Sequence, residues 1–138
     1  MPTLLTPYLS FRDNARAAME FYQSIFGGKL SVSTFKEFQV SQDPAEDNKL
    51  MHSMLEAPGG ITLMGADTPN AMELKDGSAI SIALSGEDLP GLSAWFDKLC
   101  AGGLVIEPLK TAPWGDSFGM CVDKFGVTWM VNVAGKKA

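Results

Sequence analysis

The chain has 138 residues, of which 46% are hydrophobic and 20% charged, and its net charge is −5. This length is about the size of one domain, and it can bury a core without disulfides or a structural metal. The lysines and arginines are scattered, unlike the basic patch of a nucleic-acid-binding protein. We therefore expect neither a nucleic-acid partner nor an anionic membrane surface as a partner.

The sequence also predicts a cytoplasmic protein. No stretch approaches the roughly 18 apolar residues that a membrane span requires. The N-terminal residues combine neither a basic segment nor a long apolar segment, so we expect no signal peptide. Cys100 and Cys121 stand apart in the sequence and form no CxxC pair. They are predicted to be reduced, mostly buried thiols.

The first half of the chain predicts one helix among short strands. Leu4–Leu9 is a short apolar run that indicates a first strand. Residues 13–26 predict a helix, because their apolar positions recur at steps of three and four. Asp13 is the predicted N-cap, and Gly27 and Gly28 end the helix. The strand-like runs that follow are Lys29–Phe38, Leu50–Ala57 and Ile61–Gly65.

The second half repeats this order of elements. Ala79–Leu84 is an apolar run that indicates a strand, and residues 88–101 have the spacing of a helix. Asp88 is the predicted N-cap, with Pro90 in the first turn, and Gly102-Gly103 ends the helix. The strand-like runs that follow are Leu104–Leu109, Ser117–Val122 and Val127–Val133.

The two halves form an internal repeat. The predicted caps lie 75 residues apart, and so do the two Gly-Gly pairs. The alternative is that this 75-residue offset is a coincidence in an ordinary α+β domain. The order of the elements, the helix N-caps and the Gly-Gly helix ends would then each have to match by chance. We predict one domain over residues 1–138, made of two β-α-β-β-β modules that bury a shared core. Module one spans 1–65, a connector spans 66–78, and module two spans 79–138.

Five segments in this order resemble the vicinal oxygen chelate superfamily, which includes glyoxalase I, bleomycin-binding proteins and ring-cleaving dioxygenases. They are PYLSFRDNARAAMEFYQSIFGGKL (7–30), MHSML (51–55), ITLMGAD (61–67), SIALSGED (81–88) and DKFGVTWMVN (123–132). The chain is most similar to the PhnB-like branch, which also carries the label 3-demethylubiquinone-9 3-methyltransferase domain. The resemblance implies an α+β fold in which two tandem βαβββ modules form cupped mixed sheets around a cavity. It also implies a homodimer.

The resemblance provides a test for a metal site. Enzymes of the family hold a divalent metal with His, Gln or Glu from the first and last strands of each module. The matching positions here are Pro7 or Tyr8, Leu63 or Met64, Ser81, and Met130. None of these is a good ligand for Zn²⁺, Ni²⁺, Mn²⁺ or Fe²⁺. We therefore predict no metal and no cofactor, which argues against glyoxalase I, metal-dependent fosfomycin transferase and dioxygenase activities.

No GxGxxG segment follows a predicted strand, so the sequence lacks the fingerprint of a dinucleotide-binding or related cofactor fold. This absence argues against the methyltransferase label as a true activity.

His52 is the only histidine of the chain. Three interpretations stay open: a metal ligand, a cavity-lining residue that acts as general base or acid, or a satisfied, partly exposed side chain. On a strand, His52 and Met54 share one face, whereas Met51, Ser53 and Leu55 share the other. The sequence does not reveal which face meets the cavity.

The predicted ligand-binding residues are aromatic, Met and His side chains, and a core position is the alternative for each one taken singly. They are Tyr8, Phe35, His52, Met54, Met64, Trp114, Phe118, Trp129 and Met130. The sequence predicts a protein that binds a small organic molecule in a metal-free apolar cavity. The first alternative is a metal-independent enzyme of lyase, isomerase or transferase type with His52 as its catalytic residue. The second is a structural dimer with a vestigial pocket.

Overall fold

The computed structural model describes residues 5–38, 43–70, 72, 74 and 80–135. The chain divides into two compact units, Met1–Asp76 and Gly77–Ala138, here called unit 1 and unit 2. In the described residues, each unit contains one four-stranded sheet and one helix of twelve residues. These two tandem βαβββ units confirm the predicted α+β fold class.

The helices are α1 (Ala15–Phe26), α2 (Phe35–Phe38) and α3 (Leu89–Cys100), with a 3₁₀ turn at Pro44–Glu46. The strands of unit 1 are β1 (Tyr8–Phe11), β2 (Lys29–Thr34), β3 (Leu50–Ala57) and β4 (Ile61–Asp67). The strands of unit 2 are β5 (Ile82–Gly86), β6 (Leu104–Thr111), β7 (Ser117–Val122) and β8 (Thr128–Val133). The strand orders are β1-β4-β3-β2 and β5-β8-β7-β6. In each sheet the first strand pairs in parallel with the last, and the other pairs are antiparallel. No helix of the described segments is long and apolar enough to cross a membrane.

Each long helix buries the apolar stripe that its sequence predicts. In α1 the apolar residues with this spacing are buried: Ala15, Ala18, Met19, Tyr22, Ile25 and Phe26. In α3, Leu92, Phe96 and Leu99 are buried, and Trp95 is half-buried. Each stripe packs against the sheet of its own unit, so each helix covers one face of a sheet.

The N-terminus of α1 corrects the sequence prediction. Asp13 is not the cap, because the helix begins at Ala15 and the residue at the N-cap position, Asn14, makes no capping hydrogen bond with its side chain. Instead, the buried carboxylate of Asp67, at the end of β4, accepts a hydrogen bond from the Ala15 amide at 2.9 Å. Its second oxygen accepts one from the Leu50 amide at 3.0 Å. One buried side chain therefore joins the starts of α1 and β3 to the end of β4.

The N-terminus of α3 agrees with the prediction. Asp88 accepts a hydrogen bond from the Gly91 amide at 3.1 Å, and Pro90 lies in the first turn. Because this cap and its partner are three residues apart, the local sequence is enough to specify it.

In each Gly-Gly pair, the first glycine forms a turn and the second lies very close to the backbone of a strand. Gly27 and Gly102 have positive φ angles of 76° and 77°. Gly28 lies so near the Glu56 carbonyl oxygen that a β-carbon there would collide with it, and Gly103 meets the Val122 carbonyl in the same way. In both units, two glycines therefore stand where the chain leaves the helix and comes very close to the end of a neighbouring strand.

Several element boundaries differ from the prediction. The run Lys29–Phe38 is not one strand, because β2 ends at Thr34 and Phe35–Phe38 forms a helical turn. The strand β4 continues two residues past Gly65, since Ala66 and Asp67 pair with β1.

The first strand of each unit begins later than its apolar run. The strand β1 is Tyr8–Phe11 instead of Leu4–Leu9, and β5 is Ile82–Gly86 instead of Ala79–Leu84. Leu4 and Ala79 lie outside the described residues. Parallel pairing with β4 and β8 sets these bounds, and that pairing is not a local property of the sequence.

Candidate functional site

Each sheet has a second face, turned away from its long helix, which we call the helix-distal face. In unit 1, a β-carbon added at Gly65 would lie 3.1 Å from the Met19 sulfur of α1, so Gly65 points toward the helix. Its neighbour Met64 therefore points away from α1. Register places Tyr8, Met64, Met54 and Ser31 side by side on this face. Met54 and Met64 are direct cross-strand neighbours.

His52 lies on the same helix-distal face. Ser53 and Leu55 are fully buried on the helix side of β3, so the alternating His52 and Met54 point the other way. The imidazole is half-buried and lies beside the Tyr8 ring, with centroids 6.0 Å apart and planes 33° apart. The structure thus decides which strand face carries His52, a question that the sequence left open.

Unit 2 has a related helix-distal face. A β-carbon at Gly119 would lie 3.0 Å from the Phe96 ring of α3, so Met120 points away from the helix. Register places Ala83, Met130 and Met120 side by side. This pair of methionines stands at the same position of the repeat as Met54 and Met64.

Two predicted ligand-binding residues belong to the hydrophobic core. Phe35 is 2% exposed and Trp129 is 1% exposed, so neither offers surface to a ligand. The Trp129 indole nitrogen donates a hydrogen bond to the Asp123 carboxylate at 2.8 Å. The other oxygen of Asp123 accepts bonds from the Phe125 and Val127 amides. Because of this packing, we leave Phe35 and Trp129 out of the candidate site.

The remaining predicted residues lie at two kinds of position. Phe118 is half-buried on the helix-distal face of unit 2, and its neighbour on β8 is Asn132. Trp114 is exposed on the turn between β6 and β7. That turn is held by a hydrogen bond from the Gly135 amide to the Asp116 carboxylate at 2.8 Å.

A separate groove of about 520 Å³ lies beside the N-terminal half of α1 in unit 1. Two cations, Arg16 and Lys49, line it. The Lys49 ammonium lies 2.7 Å from an Asp13 oxygen and 3.7 Å from a Glu46 oxygen, and it donates a hydrogen bond to the Asn70 side chain at 2.8 Å. Lys49 is therefore already engaged by two carboxylates, and none of the described lining residues carries an imidazole or a thiol. We therefore base the candidate site on the helix-distal faces and not on this groove.

The donor set at the family's ligand positions does not fit a divalent metal. Tyr8 and Met64 are register partners and supply a phenol and a thioether, whereas Met130 faces Ala83. Ser81 lies just before β5. Thioethers and a neutral hydroxyl are weak ligands for the hard and borderline divalent ions. Within the described ranges, no three His, Cys, Asp or Glu side chains form a group that could hold a metal ion.

Each βαβββ unit has one sheet, and its long helix covers one face of that sheet. This architecture is shared by a large class of proteins. The family model described as Glyoxalase/Bleomycin resistance protein/Dioxygenase superfamily matches residues 5–131. The chain belongs to this superfamily.

Three relatives place the chain more narrowly. It is 31% identical to Protein YjdN of Escherichia coli (strain K12) in an alignment of 140 positions that covers 94% of each chain. The crystal structure of protein PA1353 from Pseudomonas aeruginosa has a TM-score of 0.82 and 34% identity, over 98% of this chain and 100% of that one. A putative 3-demethylubiquinone-9 3-methyltransferase, PhnB protein, from Bacillus cereus has a TM-score of 0.74 and 26% identity, over 96% and 100%. These findings confirm the predicted PhnB-like resemblance.

Two buried carboxylates that organise the units are missing from the predicted site residues. Asp67 falls in the predicted connector and accepts two hydrogen bonds, and Asp123 has no predicted role and accepts three. An acid beside an apolar, strand-like run is the signal that could indicate such a position.

Proposed function

We propose that this superfamily member binds a small organic molecule against the helix-distal faces of its sheets, without a divalent metal. The cross-strand pair of Met54 and Met64 carries the proposal, with Tyr8 and His52 beside it. Methionine is flexible and polarizable, so a methionine pair adapts to an apolar or flat ligand. One phenol and one imidazole next to such a surface supply the few polar groups that orient a ligand.

The test begins with a thermal-shift screen of small aromatic and apolar compounds, with anilinonaphthalene sulfonate as the first probe. Calorimetry then compares the wild type with the double variant Met54→Gln and Met64→Gln. We expect at least tenfold weaker binding, because two amides next to an apolar ligand must give up hydrogen bonds to water. Met72→Gln is the matched control, since Met72 is exposed and lies outside the sheets. Equal affinity in the double variant and the wild type would contradict the proposal.

The second candidate is a metal-independent enzyme that uses His52 as general base or acid. The observation that favours it is the position of the only imidazole beside Tyr8 on the helix-distal face. Removing a general base typically lowers turnover by about 10²–10⁴-fold. With a hit from the screen as substrate, His52→Ala would then abolish turnover and flatten its pH profile. A simple binding protein would keep its affinity within about threefold, since one half-buried contact is lost.

We also propose a cytoplasmic homodimer in which the edge strand β6 packs against β6 of a second copy. Three consecutive side chains of β6 are exposed: Leu104 at 65%, Val105 at 43% and Ile106 at 47%. The equivalent edge of unit 1, β2, carries Lys29 and Ser31 in place of Leu104 and Ile106. Polar residues protect an edge strand from association, and β6 lacks this protection at those positions.

The charged residues of β6 support the proposal that the partner of this edge strand is β6 of a second copy. Glu107 and Lys110 of this strand pair with Met120 and Phe118 of β7 on either side of a bulge, so both lie on the helix-distal side. In an antiparallel pair of two β6 strands, Glu107 of each copy can lie opposite Lys110 of the other. Such self-complementarity is what a two-fold interface requires. The free thiols Cys100 and Cys121 support the reducing cytoplasmic location.

Sedimentation equilibrium tests the interface. Ile106→Glu should convert the dimer into monomers, because it buries two uncompensated carboxylates near the two-fold axis. Val32→Glu, on the exposed part of the β2 edge, should leave the dimer intact. A wild type that is monomeric at micromolar concentration would contradict the homodimer itself. A dimer that survives Ile106→Glu would contradict only the β6 interface.

A further inference from the structure

The groove beside α1 in unit 1 lies apart from the helix-distal face of its sheet. Arg16 and Glu20 of α1 line one side, and Ala45 and Asn48 of the connection between β2 and β3 line the other. Its volume of about 520 Å³ is within the usual range of small-molecule pockets. The groove is therefore large enough for a ligand of its own.

The repeat shows that the shared β-α-β-β-β order does not require this groove. Residues 35–49 join β2 to β3 and contain α2 and the 3₁₀ turn, whereas β6 and β7 are joined by residues 112–116 alone. The helix positions also differ, because Arg16 and Glu20 correspond to Gly91 and Trp95 of α3. The groove is thus built by parts of unit 1 that have no counterpart in unit 2.

A buried carboxylate oxygen beside the groove has no hydrogen-bond partner. The side chain of Lys49, which lines the groove, is 10% exposed, and that of Glu46 is 6% exposed. The Lys49 ammonium contacts Asp13 at 2.7 Å and Asn70 at 2.8 Å, which leaves one of its three hydrogens. Oε2 of Glu46 lies 3.7 Å from this ammonium, which is longer than a hydrogen bond, and no described residue donates to that oxygen. A donor and an acceptor therefore face each other without a direct hydrogen bond.

A hydroxyl group has the chemistry that this pair of side chains requires. Its oxygen can accept a hydrogen bond from Lys49 while its hydrogen is donated to Glu46. A carboxylate would offer no hydrogen to Glu46, and an ammonium would offer no acceptor to Lys49. Water has the same donor and acceptor as an alcohol, so the remaining groups of the groove must distinguish water from a ligand.

Three exposed side chains of the groove also combine donors with acceptors. Arg16, Glu20 and Asn48 make no side-chain hydrogen bond or ion pair with any other described residue. A guanidinium only donates, a carboxylate only accepts, and an amide does both. An anionic ligand would leave Glu20 without a donor, and a cationic ligand would leave Arg16 without an acceptor. Neutral hydroxyl groups can satisfy all three side chains.

The charge of the groove also disfavours an anion. Counting Glu46 with the lining residues, four carboxylates stand against two cations: Asp13, Glu20, Glu46 and Asp67 against Arg16 and Lys49. Like charges repel, so a negatively charged ligand would meet an excess of negative charge.

We propose that this groove binds a small neutral polyhydroxylated molecule of the size and chemistry of a monosaccharide. One hydroxyl lies between Lys49 and Glu46. Neighbouring hydroxyls bind the exposed side chains of Arg16, Glu20 and Asn48. Hydroxyls on adjacent carbons match the paired N–H groups of a guanidinium and the paired oxygens of a carboxylate. The site is separate from the helix-distal faces, so it does not depend on the ligand proposed for them.

The experiment titrates the isotope-labelled, full-length protein with D-glucose, D-mannose and myo-inositol and follows the amide signals by NMR. We expect a dissociation constant on the order of 1 mM for at least one of them, because an open groove provides few apolar contacts. The signals that shift should belong to Ala17, Ala45 and Asn48, which line the groove. Those of Met54 and Met64 should not move.

A pair of double variants tests the assignment. Arg16→Ala with Glu20→Ala should weaken binding about tenfold, because two charged hydrogen-bonding groups are lost. Both residues are exposed, so we expect this variant to fold. Asp97→Ala with Lys98→Ala, which removes an exposed pair of opposite charges from α3, is the matched control and should bind like the wild type.

Two charged probes test the ligand class. Ethylammonium and propionate, which carry a single charge and no hydroxyl, should bind about tenfold more weakly than the best of the three polyols. Tighter binding of either ion would assign the groove to a charged ligand and overturn the proposal.

Three further results would overturn it. An absence of shifts with all three polyols up to about 100 mM would show that the groove holds water only. Shifts at Met54 and Met64 in place of the groove residues would move the polyol to the helix-distal face. Equal affinity in the wild type and the Arg16→Ala, Glu20→Ala variant would place the polyol outside the groove.

Discussion

The helix-distal faces of the two units share a methionine pair but differ in the side chains beside it. Met54 and Met64 of unit 1 correspond to Met120 and Met130 of unit 2. Next to them, unit 1 carries Tyr8 and His52, and unit 2 carries Ala83 and Phe118. The repeat has kept an adaptable apolar pair in both copies, whereas a phenol and an imidazole occur in one copy. The two faces therefore have the apolar methionine pair in common, whereas the phenol and the imidazole of the candidate site belong to unit 1.

The largest expected effects are losses of stability at the two buried acids, Asp123 in unit 2 and Asp67 in unit 1. Asp123→Ala should lower the free energy of unfolding by about 3–5 kcal/mol, since it leaves two amides and the Trp129 indole without their acceptor. Asp67→Ala removes the acceptor of two amides and should cost about 2–4 kcal/mol. Urea unfolding measures both values. Asp97→Ala, on the exposed side of α3, should change the value by less than about 0.5 kcal/mol.

The tryptophans sharpen this measurement, because all three lie in unit 2. Tryptophan fluorescence therefore reports on unit 2, and circular dichroism reports on both units. If Asp67→Ala shifts the fluorescence transition as well, the two units unfold together. A cost below 0.5 kcal/mol for Asp123→Ala would contradict its role as the centre of the β7–β8 hairpin.

The next effect concerns the glycine that follows each helix. Gly103→Ala should cost about 2–3 kcal/mol, because the new β-carbon collides with the Val122 carbonyl and forces the backbone to shift. Gly126→Ala is the control: its φ is +89°, but a β-carbon there meets nothing within 4 Å, so we expect about 1 kcal/mol. Thermal unfolding of the two variants measures the difference. Equal costs would show that the turn matters and the close approach does not.

The last effect is absent at neutral pH, where it is the smallest of the set, and it appears only at alkaline pH through a buried thiol of unit 2. Burial raises the pKa of Cys121 from an ordinary 9.0 to about 12. The protonated thiol thus contributes its full stability below about pH 9, and this contribution is lost as the pH rises toward 12. In that window the wild type should lose up to about 1.4 kcal/mol more per pH unit than Cys121→Ala. Parallel slopes of unfolding free energy in the two proteins would contradict the raised pKa.

The sequence predicts well what nearby residues determine. Asp88 caps α3 as expected because its partner is three residues away. Both helix stripes, and the bounds of Leu50–Ala57 and Ser117–Val122, are correct for the same reason. The prediction for Asp13 is wrong, since the donor at Ala15 finds its acceptor 52 residues later in the chain.

Features that depend on tertiary contacts cannot be predicted from local sequence patterns. Periodicity places His52 and Met54 on one strand face, but only the position of α1 decides which face that is. The segment Lys29–Phe38 predicts one strand, but Phe35–Phe38 forms a helical turn in which the Phe35 ring is buried. Burial of this ring outweighs the local preference of the segment for a strand.

The position of Asp67 has a consequence for the order in which the chain acquires structure during synthesis. Helix α1 emerges from the ribosome first, yet the carboxylate that completes its N-terminus is made 52 residues after Ala15. Helix α3 carries its own cap at Asp88, so the acceptor for its first turn is made together with the helix. The half of the protein that is made first is therefore the half whose helix must wait for the end of its own sheet.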